Sequence, residues 1–118
     1  MATSIWKSTG RANRQRYWLY SLIYPIVVMV VAVFIGIALS AAFNSESMVY
    51  LAAIFVVPAA WVSIMVQIQR WHDLNKSALW ILLSFIPYLG LIAQLVIGFV
   101  KGTPGPNQYG EDPLGGSD

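Results

Sequence analysis

An all-α membrane protein with three apolar helical segments is the fold class this sequence predicts, and two observations carry the expectation. The chain of 118 residues is 58% hydrophobic and only 10% charged, where a soluble domain carries about 25% charged residues. It therefore lacks the polar side chains needed to cover a water-facing surface. Its apolar residues also gather into three runs, Leu19 to Phe43, Met48 to Ile68 and Leu79 to Val100, of 25, 21 and 22 residues. About 20 such residues cross a hydrocarbon core as a helix. The whole chain, 1–118, reads as one integral membrane domain. A basic and aromatic flank (1–18) leads to span 1 (19–43) and span 2 (48–68). A polar island (69–78), a third apolar segment (79–100) and a Gly/Pro-rich acidic tail (101–118) follow.

The flank holds Lys7, Arg11, Arg14 and Arg16, then Tyr17 and Trp18 at the start of the first run. Positive charge followed by aromatic anchors marks a membrane interface. The run is too long for the core of a secretory signal, about 7–15 residues, so a retained span is expected. Pro25 lies near its start, where a helix tolerates proline best. Asn44 to Ser47 is a short polar turn that demands an antiparallel neighbour, and Pro58 in the second span predicts a kink.

The island Gln69-Arg70-Trp71-His72-Asp73-Leu74-Asn75-Lys76-Ser77 contains the only histidine. Asn75 suits a turn and Ser77 an N-cap. The third segment is interrupted at Ile86-Pro87-Tyr88-Leu89-Gly90, so it is kinked or re-entrant at Pro87 to Gly90. As a kinked spanning helix it carries the tail across the membrane; as a re-entrant hairpin it returns the tail to the island. The turn formers from Gly102 to Gly110 cannot continue a helix, and the acidic tail from Glu111 to Asp118 is expected to fray.

Charge sets the orientation. With flank and island on one side, six of the seven bases lie there (Lys7, Arg11, Arg14, Arg16, Arg70 and Lys76), and that side is expected to be the cytoplasm. A net charge of +2, concentrated beside apolar runs, points to anionic head groups of membrane lipids and away from nucleic acid. The absence of cysteine removes disulfides and thiolate chemistry. No metal ligand set, cofactor motif or catalytic constellation is readable. His72-Asp73 invites a general-base reading, but no nucleophile stands at a matching spacing, so the expectation is not an enzyme.

Small and polar residues recur at intervals of four: Ala32, Gly36 and Ser40; Ala59, Ser63 and Gln67; Gly90, Gln94 and Gly98. Each triplet lies on one helix face. In lipid, where apolar surface gives helices little reason to associate, small residues and interhelical hydrogen bonds supply the contact. Gly36, Ser63, Gln67 and Gln94 are thus expected in a helix-packing seam. Gln67 and Gln94 carry the alternative, a polar path through a small transporter or channel subunit. Arg11, Arg14, Arg70, His72 and Asp73 are expected to form an interfacial cluster, either closed by Asp73 or leaving an arginine for a lipid phosphate. Partners in view are membrane lipids, a second copy in a homo-oligomer, or another membrane protein.

Three motifs occur in order: Gly10-Arg11 with Arg14 and Tyr17-Trp18; Arg70-Trp71-His72-Asp73 with Ser77 and Trp80; and Gly102-Thr103-Pro104-Gly105-Pro106-Asn107 with Tyr109-Gly110 and Asp112-Pro113. Together they resemble the bacterial family called domain of unknown function 805, the YhaH-type small inner-membrane proteins. The resemblance covers nearly the whole chain and implies a bacterial inner-membrane location. The chain departs from the family pattern at Gln69, where a second base is usual before the His-Asp pair, and at Ala78-Leu79, where Gly-Trp is frequent.

Overall fold

The computed structural model describes residues 4–114, and within them the fold is helical, with one isolated antiparallel bridge between Asn107 and Gly110. Helix α1 spans Arg14–Phe43 and α2 spans Glu46–Asp73; both are long and apolar enough to cross a membrane. A 3-10 helix, Ala78–Phe85, and a shorter apolar helix α3, Leu89–Phe99, follow.

Local chemistry accounts for each irregularity. Asn13 caps α1 by accepting the Arg16 amide at 2.7 Å, so the helix begins in the flank, five residues before the apolar run. Residues Leu19–Ile23 form a π turn immediately before Pro25. Proline has no N–H and its ring crowds the carbonyl four residues back, here Ser21, and the wider turn relieves that conflict. Pro58 acts likewise on α2: the carbonyl it would meet is that of Ile54, and the helix is interrupted at Ile54 and Phe55. Between α1 and α2, Asn44 adopts the left-handed conformation (φ 49°) that ends a helix, and its amide returns to Ser40 O.

Helix α2 runs five residues past its apolar stretch, so Gln69 to Asp73 are helical and only Leu74 to Ser77 form the connection. Asn75 takes the left-handed turn (φ 61°). Ser77 precedes the 3-10 helix, but its hydroxyl makes no capping bond, contrary to the N-cap expectation.

The third segment reverses. Ile86 is extended, Tyr88 has φ 64° and ψ −53°, and the Leu89 amide bonds to Pro87 O at 2.7 Å in a tight γ-like turn. At the far end, Ile97 and Val100 carbonyls reach Arg70. The hairpin therefore begins and ends beside the island, and residues 79–100 do not form one continuous helix. The 3-10 arm arises where no acid, cap or regular stripe favours the wider helix, and where it must lie close to its return arm: a Cβ on Gly90 would come within 2.7–2.8 Å of the Ser84 and Leu83 carbonyls.

The small-residue faces turn inward. Gly36 lies on Val49 and Ala52, Ala32 and Ala59 are buried, and Gly98 lies under the Trp18 ring. One buried cluster contains Tyr17, Trp71, Ala93 and Ile97, and another Ala12, Val62 and Val66. The outward sides of α1 and α2 display Val27, Val31, Phe34, Leu51 and Val57 without protein cover.

Candidate functional site

Where flank, island and tail meet, three charged side chains lie almost wholly inside the protein: Arg11 is 3% exposed, Arg70 0% and Asp73 3%. Their order along the chain explains how they meet. Arg70 and Asp73 are one turn apart on the polar end of α2, and Arg11 arrives from the extended flank, held there by the Ala12 amide on Gln69 O at 3.1 Å.

Asp73 divides its carboxylate between two guanidinium groups. Arg11 Nε donates to Oδ1 at 2.9 Å, and Arg70 donates to Oδ2. The remaining donors find backbone oxygen. Arg11 reaches Thr103 O at 2.6 Å, Gly105 O at 2.7 Å and Gly110 O at 3.2 Å. Arg70 reaches Ile97 O at 2.6 Å, Ala12 O at 3.0 Å and Val100 O at 2.5 Å. Charge burial without such partners costs several kcal/mol per ion; here each guanidinium is met by a carboxylate oxygen and three carbonyls. Gly102 abuts the carboxylate so closely that a Cβ would collide with it, which gives the glycine of the tail motif its physical reason.

The tail is strapped to the island by further bonds. Thr103 N donates to Asp73 O at 2.7 Å, and Asn107 Nδ2 to His72 O at 2.9 Å. The His72 ring stacks on Tyr109 with centroids 3.9 Å apart and planes within 2°, and its Nδ1 lies 2.9 Å from Gly10 O. Contrary to the fraying expected from Glu111 onward, Asp112 accepts the amides of Leu114 and Gly105, and these bonds hold its carboxyl below the usual carboxylate range. Residues 115–118 lie outside the described residues.

Of the five expected cluster residues, Arg11, Arg70, His72 and Asp73 come together. Arg14 stands apart: it is exposed and donates to Phe99 O at 3.2 Å, at the rim of the hairpin's return arm. Gln69, at the position where a second base is usual, bonds Ser4 O and Lys7 O through its amide nitrogen and accepts Arg16 Nε at 3.2 Å. A neutral side chain there folds the flank onto α2 without adding a third buried cation.

Below the cluster a polar chain crosses the apolar interior. Gln67 Nε2 donates to Ser63 Oγ at 2.9 Å, while Gln67 Oε1 accepts Gln94 Nε2 at 2.8 Å and Ser84 Oγ at 3.3 Å. The Tyr17 hydroxyl shares its one proton between Gln94 Oε1 at 2.7 Å and Gln94 O at 2.8 Å. Ser63 reaches toward Ser21 O at 3.5 Å. Tyr17, Gln67, Ser84 and Gln94 border a crevice of about 470 Å³ between α1 and the hairpin, whose other walls include Trp18, Leu22, Leu91 and Leu95. Spacing pointed to Gln67 and Gln94 but missed Tyr17 and Ser84. Tyr17 carried only an interface signal, and Ser84 lies on the 3-10 arm, outside any four-residue repeat.

Among the described residues, no group of three or more His, Asp or Glu side chains is placed to hold a metal. His72 has its ring face and one nitrogen occupied, and Asp73 faces arginines instead of the imidazole.

Comparison with known proteins agrees with the helical, apolar design. Inner membrane protein YhaI of Escherichia coli (strain K12) is 39% identical over 109 residues, covering 92% of this chain and 87% of the relative. Inner membrane protein YhaH of the same organism is 34% identical over 107 residues, covering 88% and 84%. No solved structure matches. The model of the protein family of unknown function DUF805 matches residues 5–111, a stretch that contains the first two motifs and the third as far as Tyr109-Gly110, and the chain belongs to that family.

Proposed function

We propose that this chain is a non-enzymatic component of the bacterial inner membrane that binds lipid or a protein partner. In this reading α1 and α2 each cross the bilayer, and the hairpin of the 3-10 helix and α3 dips in and returns on the cytoplasmic side. The observation that carries the orientation is the sorting of charge. Lys7, Arg11, Arg14, Arg16, Arg70, Lys76 and Lys101 all belong to the end where flank, island and tail meet, whereas the turn between α1 and α2 holds Glu46 alone. Bases collect on the cytoplasmic side of a membrane.

Binding is favoured over catalysis because the buried charges are satisfied by one another and by backbone, and no activated nucleophile stands beside a base among the described residues. Lys7, Arg14, Lys76 and Lys101 are exposed around the same end, and each base near an anionic lipid surface adds about 1 kcal/mol of attraction. Single cysteines replacing Ser4, Ser45, Ser77 and Gln108 test the topology with an impermeant thiol reagent. Only Ser45→Cys should react in intact cells, and the other three after permeabilisation. The reverse pattern overturns the orientation, and labelling of Gln108→Cys together with Ser45→Cys overturns the re-entrant hairpin.

The crevice beside Gln67 and Gln94 favours a second reading, a small transporter or channel subunit. Liposomes containing the purified protein should pass no solute or ion. Flux abolished by Gln94→Leu in an intact fold would transfer the assignment to transport.

A further inference from the structure

We propose that the crevice between α1 and the hairpin seats the glycerol-ester region of one anionic phospholipid, with an ester carbonyl on the Gln67 and Gln94 amides and the phosphate on Arg14. The inference rests on the lipid-binding reading above and names its site. Its first support is the donor count. A carboxamide nitrogen carries two hydrogens; Gln67 Nε2 commits one to Ser63 and Gln94 Nε2 commits one to Gln67. Gln67 Oε1, by contrast, already accepts twice, and Gln94 Oε1 shares the single Tyr17 hydroxyl proton with Gln94 O. The crevice therefore has spare neutral donors and few spare acceptors on its amides. Its complement is a neutral acceptor without a proton to give, which describes an ester carbonyl.

The second support is the wall. Leu22, Leu91 and Leu95 are each 46% or more exposed and line the same crevice, so it opens on the apolar surface, and a ligand enters from lipid. Its volume of about 470 Å³ falls within the roughly 300–1,000 Å³ of ligand pockets. The third support is charge placed at the right height. Trp18 lines the crevice and donates to Gly98 O at 2.9 Å, while Arg14 lies one turn above it and bonds the adjacent Phe99 O. Along α3, Phe99 stands five residues from Gln94, a rise of about 7.5 Å, which a glycerol backbone spans between phosphate and ester as the two side chains reach toward it. Arg14 is exposed and, among the described residues, makes no ion pair, since Asp73 is occupied by Arg11 and Arg70. Tyr17 and Trp18 fix this level at the interface, where head groups meet acyl chains.

The test compares two lipids on the unaltered, full-length protein by native mass spectrometry after release from detergent. Ester-linked phosphatidylglycerol and its diether analogue share head group and chain length and differ in the carbonyls. The ester lipid should be retained about fivefold to tenfold more strongly, the scale of one or two net hydrogen bonds. Gln94→Leu should erase the preference, and Arg14→Gln should weaken both lipids alike. Equal retention of the two lipids, with loss in Arg14→Gln, overturns the crevice seat while leaving lipid binding intact. Retention of neither overturns both readings.

Discussion

Asp73 shows how one carboxylate can fix three distant parts of a chain. It lies between two guanidiniums, and its backbone carbonyl holds the tail through Thr103. Removing its charge leaves Arg11 and Arg70 buried and mutually repulsive, and losing one partner of a buried pair costs about 3–5 kcal/mol. Asp73→Asn should accordingly lower the melting temperature in detergent by roughly 10 °C or more, and a shift below about 2 °C would contradict the cluster's energetic role. The same geometry discriminates between the flank arginines. A double-mutant cycle of Arg11 with Asp73 should give coupling of about 1–3 kcal/mol, whereas Arg14 with Asp73 should give about zero. That distinction was not legible in the sequence: both arginines flank the first span, and only the Ala12–Gln69 bond, a contact distant in the chain, decides which one turns inward. Asp112 supplies a pH-dependent case. Its pKa is lowered by the Gly105 and Leu114 amides, so its contribution is complete above the ordinary carboxylate value of about 4 and fades as pH falls through the depressed one. Protection of the Gly105 amide from hydrogen exchange, corrected for intrinsic rate, should stay flat from about pH 8 to 5 and fall only below about 4. A decline centred near neutrality would assign the strap's hold to another group.

Among the elements, α1 and α2 were readable because length and unbroken apolarity are local properties. The hairpin was not, since Pro87 and Gly90 serve a kinked span and a reversal equally well. The choice between them depends on what the return arm meets: Gln94 finds Gln67 and Tyr17, and Ile97 and Val100 offer carbonyls to Arg70. Close approach then ranks the glycines. A methyl at Gly90 would strike backbone carbonyls that cannot turn aside, and one at Gly98 would strike the Trp18 ring that Gly98 O itself holds. At Gly36 the nearest atom is a Val49 methyl, free to move. Gly90→Ala and Gly98→Ala should thus destabilise the fold by about 1–3 kcal/mol, and Gly36→Ala by less. Tyr88 is the opposite case: the residue is 86% exposed and its φ is +64°. Tyr88→Gly should be tolerated, because a conformation costing a non-glycine residue roughly 1 kcal/mol or more becomes free. Thermal melting of the four variants checks the order, and a Gly90→Ala protein as stable as Tyr88→Gly would remove the tight reversal.

At the scale of the whole molecule, both described ends of the chain are bound to its middle. The flank reaches the island through Arg11, Ala12 and Gly10, and the tail reaches the island through Thr103, Asn107 and Tyr109 and the flank's Arg11 through Thr103, Gly105 and Gly110. Composition identified the apolar body, and the ordered trio of motifs marked the segments that join, but their joining requires the hairpin to return. An arrangement of this kind is cooperative, since the tail's carbonyls satisfy a guanidinium that the flank contributes. Truncation after Lys101 strips Arg11 of its three carbonyl partners and uncovers the Asp73 carboxylate, while leaving the apolar faces of α1 and α2 unchanged. The truncated protein should still enter the membrane, because insertion depends on those faces. Its flank, however, should become a site of proteolysis at Lys7, Arg11 or Arg14 in inverted vesicles, at a rate well above that of the full chain. Cleavage in the flank at the same rate with and without the tail would mean that the two ends are held independently, and that Arg11 owes its burial to Asp73 alone.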